Sequence, residues 1–181
     1  MKSFIKIGLL TGLVVSAWNL SCFTIVSWLN KISSLGIPVA RIRAYSGLIG
    51  IILLIIGIYF RITTLKKKNR NQISFAQAVK TGAFISIISA LIGGFFAFIY
   101  CTVINPGYAA YMVKDAETAL AATQNTPAEI SRQLVEVRNR YSTSTQVLQA
   151  LIAQSVMGTL GSLIIAAFVK TKKSDSNKKN I

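Results

Sequence analysis

The sequence predicts an all-α integral membrane bundle of four transmembrane helices, with an extracytoplasmic helical hairpin between the third and the fourth. Three observations predict it. The 181 residues are 52% hydrophobic and only 14% charged, with a mean hydropathy of +0.55, whereas a soluble domain carries about 25% charge. Four stretches, 7–29, 44–60, 81–104 and 147–169, contain no charged side chain, and a helix needs about 20 residues, within a range of about 17–25, to cross the hydrocarbon. Lys and Arg are unevenly shared among the segments between those stretches. In lipid every backbone N–H must be satisfied within its own segment, so such runs take the helical form.

The first stretch follows Lys2 and Lys6 and carries Gly8, Gly12 and Ser16 at four-residue spacing. Its basic start also suits a cleaved leader, and Cys22 raises a lipoprotein reading. Asn19-Leu20-Ser21 places Leu one position off the usual lipobox, however, and the apolar run continues through Trp28 and Leu29. A retained helix is the expectation. The second stretch holds ten Leu, Ile or Phe residues, which favour insertion by about 3 to 6 kcal/mol near the helix centre.

Before the third stretch, Ser74-Phe75-Ala76-Gln77 reads as a capping box that starts a helix near Phe75. Asn105-Pro106 marks its end, with Asn105 expected to cap a new helix whose first residue is Pro106. Ser86, Ala90 and Gly94 form a second small-residue row. The connecting segment 105–146 carries another capping box, Thr126-Pro127-Ala128-Glu129. Beyond it Ile130, Leu134, Val137 and Tyr141 fall on one helix face, and Arg132, Glu136 and Arg140 pair at four-residue spacing on the wet side. These signals predict a helical hairpin on the outer membrane face. Thr143-Ser144-Thr145-Gln146 reads as the box that opens the last helix, which carries Gly158, Ser162 and Ala166. Small-residue rows let helices approach closely, because lipid gives no hydrophobic drive for association. Packing within the bundle is the favoured use of these rows, and a dimer contact is the other.

Thirteen Lys and Arg residues fall on 1–6, 61–80 and 170–181, against seven on 30–43 and 105–146. The positive-inside rule then places both termini and the Arg61, Lys66, Lys67, Lys68 and Arg70 cluster in the cytoplasm. That cluster is expected to set topology and touch anionic lipid headgroups. It has no interleaved aromatic residue and no reader motif, so the net charge of +15 does not point to nucleic acid.

The sequence contains no His, the commonest general base and metal ligand. Its two Cys, Cys22 and Cys101, lie in apolar runs and are read as small hydrophobes, a disulfide being the other reading. Asp115, Glu117, Glu129 and Glu136 fit solvated helix faces, and no charge lies within a charge-free stretch to mark a transport path. Asn19 and Gln154 are expected to hydrogen-bond across helices. No enzyme, cofactor or metal is expected. Two functional classes remain. One is an accessory or assembly protein whose outer hairpin meets a membrane-protein partner or lipid. The other is a small homo-oligomeric transporter or channel, which a polar path through Asn19, Gln149 and Gln154 would favour.

The stretch from Gln72 to Gly82, closed by Tyr100 and Asn105-Pro106, resembles domain-of-unknown-function family 4199, small four-span membrane proteins of Bacteroidota. The resemblance implies an inner-membrane location and no assigned activity. Asn69-Arg70-Asn71 stands where the family pattern leads one to expect a Gly.

Overall fold

The computed structural model describes residues 2–33, 39–123 and 126–171. Six α-helices follow in order: α1 (Lys2–Ser33), α2 (Val39–Lys68), α3 (Phe75–Ile99), α4 (Tyr108–Ala121), α5 (Pro127–Arg140) and α6 (Thr143–Val169), with a π-helical turn, Tyr100–Ile104, extending α3. Among the described residues four segments are long and apolar enough to cross a membrane: Phe4–Ile25, Tyr45–Lys68, Phe75–Ile104 and Thr143–Val169. The architecture is therefore that of a multi-pass helical bundle.

α3 packs along both α1 and α6, its interface with α6 being the largest, and α2 lies across α1, α3 and α6. Leu54, Ile58 and Ile62, one face of α2, meet Val15, Ile85, Ile165 and Ala166 in a fully buried core. The opposite faces stay apolar and exposed, as at Phe60, Leu91, Ile164 and Phe168. Phe168 is 85% exposed, a placement that costs little only where the surrounding solvent is hydrocarbon.

Small residues set how closely the helices approach. A Cβ at Gly8 would lie 2.8 Å from the Ile88 Cβ, and one at Gly12 3.0 Å from the Ser89 Cα, so α1 rests directly on α3. A Cβ at Gly158 would collide with Ser86, and one at Gly82 with Ser162. Gly94 faces Leu151 at 3.1 Å, and Ala90 is buried beside these contacts. All of these contacts lie within the chain. Gly57 of α2 joins them: a Cβ there would stand 2.5 Å from the Thr11 hydroxyl.

The turn after α2 is tied to the end of α6. Thr171 N–H donates to the Ile73 carbonyl at 3.0 Å, and Ile73 N–H to the Thr171 hydroxyl at 3.1 Å. That hydroxyl donates to the Asn71 carbonyl at 3.1 Å, and Lys66 Nζ donates to the Val169 carbonyl at 2.9 Å. Arg70 and Asn71 take positive φ values of 51° and 61°. Asn accepts that region easily and Arg does not, so the expectation of a Gly here had a backbone reason.

Several boundaries differ from the sequence reading. α2 continues two turns beyond Phe60 to Lys68, carrying Arg61 inside the helix. Asn105 does not cap α4; Pro106 and Gly107 make a turn, α4 begins at Tyr108, and the Asn105 amide donates to the Tyr100 hydroxyl at 3.2 Å. The cap of α6 is Ser142, which accepts from Thr145 N–H, one position before the expected box. Gln146 instead donates to the Arg140 carbonyl at 2.7 Å. The other two boxes form as read: Ser74 with Gln77, and Thr126 with Glu129. The side chains of Lys2, Lys31, Arg41 and Arg43, together with Lys172, Lys173, Lys178 and Lys179, lie outside the described residues.

Candidate functional site

The bundle has a basic end, carrying the 69–74 turn, and a hairpin end, carrying α4 and α5. At the hairpin end four aromatic rings link four elements. Phe23 of α1 meets Tyr100 at 5.7 Å between centroids, Tyr100 meets Tyr108 of α4 at 5.6 Å, and Tyr108 meets Tyr141 at 5.9 Å. The tilted and edge-on geometries suit the ring quadrupoles. Tyr108 and Met112 are buried in this cluster and pin α4 to the bundle. The π turn at Tyr100–Ile104 points the Tyr100 backbone carbonyl at Asn105 N–H, 2.7 Å away, and ends α3. Such turns recur at functional positions.

Beneath the cluster lies a cavity of about 300 Å³ between α1, α2, α3 and α6. Its wall is mainly apolar and, among the described residues, holds no Lys, Arg, Asp or Glu. Asn19, Gln149 and Gln154, the residues the sequence offered for a polar path, all line it, as does Ser16. Asn19 is tied across helices: Ser46 donates to its carboxamide oxygen at 2.8 Å, and Trp18 Nε1 donates to the Ser46 carbonyl at 3.2 Å. Gln154 lies against Gly93 of α3, but its Oε1, like the Ser16 hydroxyl, has no hydrogen-bond partner among the described residues. Below the cavity Leu54, Ile58, Ile62 and Ile85 close the bundle with no exposed surface. Cys22 and Cys101 are both half-buried, and Cys101 lies on the cavity wall.

At the basic end Lys67, Lys68 and Arg70 are exposed, while Lys66 is held against α6. Arg61 is placed otherwise than expected. It is 4% exposed, with its guanidinium 4.3 Å from the centre of the Phe4 ring and its Nε unpartnered among the described residues. The extra turns of α2 bury it, so it does not stand among the headgroup-facing lysines. The expectation that no charge enters the bundle gives way with it.

In the hairpin, Ile130, Leu134, Val137 and Tyr141 form the half-buried face of α5, as their spacing predicts. Arg132 and Glu136 pair at 3.6 Å on the exposed side. Hydrogen bonds from the Thr126 backbone and hydroxyl hold the Glu129 carboxyl below the usual carboxylate range. Sequence reasoning missed the cavity and the Gly57 and Gly82 contacts. The glycines themselves were the available signal, but their partners are set only by the packing.

No curated protein and no solved structure matches the chain significantly. The family model described as a protein of unknown function (DUF4199) matches residues 6–171. A helical bundle with four potential spans, matched over nearly its whole length, belongs to the DUF4199 family.

Proposed function

We propose that the chain is a non-enzymatic accessory or assembly protein of a bacterial inner membrane, with both termini in the cytoplasm and the α4–α5 hairpin outside. The observation that carries this reading is the state of α5. It holds no fully buried side chain, keeps Ile130, Leu134 and Val137 only half-covered, and leaves Val135 59% exposed. Its partners within the chain are chiefly α4 and the start of α6. A helix retained with so little burial of its own gains most from a further surface. The lopsided distribution of Lys and Arg supports the orientation.

The test places a photocrosslinking amino acid at position 135 in native membranes, with position 160 as a lipid-facing control. The expected result is one discrete protein adduct from 135, recovered stoichiometrically, and none from 160. Adducts of the chain with itself alone, or none from 135, would overturn the reading. The cavity favours a second reading, a small oligomeric transporter or channel, because Asn19, Gln149 and Gln154 share one wall. The packed layer below it opposes this: a continuous path would have to pass Leu54, Ile58 and Ile85.

A further inference from the structure

We infer that the cavity at the hairpin end is a binding site for a neutral amphiphile taken from the bilayer, its polar head against Ser16 and Gln154 and its hydrocarbon tail directed out between α2 and α6. No described residue of α5 lines this cavity.

Charge comes first. Among the described residues no ionisable carboxylate or cation stands in the wall, and bringing an isolated ion into such a place is prohibitive. The ligand is therefore uncharged. Hydrogen bonding comes second. The Ser16 hydroxyl and the Gln154 Oε1 are buried on this wall and unpartnered among the described residues. Ser16 is itself only 4% exposed. Buried polar atoms in native folds find partners, and a hydroxyl-bearing head supplies both a donor for the amide oxygen and an acceptor for the serine. Asn19, one turn from Ser16, is already committed to Ser46 and Val15.

Access comes third. α2 and α6 meet closely at the middle of the bundle, where a Cβ at Gly161 would lie 3.0 Å from Ile55 and one at Gly158 3.0 Å from Leu54. Toward the hairpin end they part. Gly47 and Gly50 line the cavity from α2, Ala150 and Ala153 from α6, and a Cβ at Gly47 would meet nothing within 4 Å. The outer faces beside this gap are Leu48, Ile52, Leu148 and Ile152, all exposed. The medium at such a mouth is hydrocarbon, and an alkyl chain fills an apolar gap that water would fill poorly.

The experiment uses the purified full chain in phosphatidylcholine nanodiscs. The probe is a monoacylglycerol carrying a diazirine in its chain; a phosphatidylglycerol with the same diazirine is the second arm. The expected result is saturable labelling by the neutral probe on 47–54 and 146–154, with the anionic probe confined to lipid-facing positions. Gly47→Phe, which fills the mouth without a neighbour to displace, lowers cavity labelling by about tenfold or more at an unchanged melting temperature, and Gln154→Leu lowers it by up to about tenfold, the scale of one hydrogen bond. Unchanged cavity labelling in both variants, equal labelling by the anionic probe, or labelling only at outer positions such as Leu160 and Phe168 overturns the assignment.

Discussion

The Ser46 hydroxyl donates to the Asn19 carboxamide oxygen at 2.8 Å, joining α2 to α1 at the rim of the cavity. Asn19 in turn donates to the Val15 carbonyl one turn back at 3.0 Å. Polar ties of this kind between membrane helices contribute about 0.6 kcal/mol on average and up to about 1.7. A double-mutant cycle with Asn19→Leu and Ser46→Ala, read by thermal unfolding in detergent, is expected to return a coupling within that range. Additive single effects would show that the pair carries none.

Gly158 packs directly against Ser86. Gly158→Ala drives a methyl into Ser86 and is expected to destabilise the bundle by about 1–3 kcal/mol, the scale of overpacking. Gly47→Ala, with open space around its Cβ, serves as the control and leaves the melting temperature within error.

Arg61 is a buried cation, and none of the acidic residues outside the tail lies near it in sequence, all four sitting between 115 and 136. An unpartnered buried polar group costs about 1–3 kcal/mol. Arg61→Met keeps the volume and removes that group, so the variant is expected to melt higher than the parent. A lower melting temperature would mean that the contact with Phe4, 4.3 Å away, outweighs the burial.

Thr171 closes three hydrogen bonds with Asn71 and Ile73, one of them through its backbone N–H. Thr171→Val removes the two hydroxyl bonds and keeps the size. Faster amide exchange over 69–74 is expected, by about 0.5–1.5 kcal/mol in protection per bond lost, with α5 unaffected.

Glu129 titrates below the ordinary carboxylate range because Thr126 hydrogen-bonds its charged form. A depressed folded value stabilises the start of α5 above the ordinary range, and that contribution is lost as pH falls through the depressed value. Carboxyl carbon shifts should place the Glu129 midpoint below the ordinary carboxylate range, and Thr126→Ala should move it back up.

Local signals were legible in the sequence and long-range ones were not. Ser74 with Gln77, and Thr126 with Glu129, are three residues apart, and their chemistry is complete within one turn. The α5 face from Ile130 to Tyr141 is a spacing, readable without any partner. The four spans follow from length and apolarity. Arg61 was misplaced because its burial depends on α2 continuing past Phe60, and nothing in the composition there forbids either outcome. The bond between Thr171 and Ile73 spans 98 residues, and the cavity arises from the divergence of two helices that no short motif encodes. Asn19, Gln149 and Gln154 could be named as polar residues of interest, but only packing brings them to one wall.

The knot of hydrogen bonds around Thr171 fixes the far end of α6, whose other end borders the mouth. A helix of 27 residues is about 40 Å long. Tied at its base through Thr171 and lying along α3, α6 works as a tent pole: its bound end sets where the opposite wall of the mouth stands.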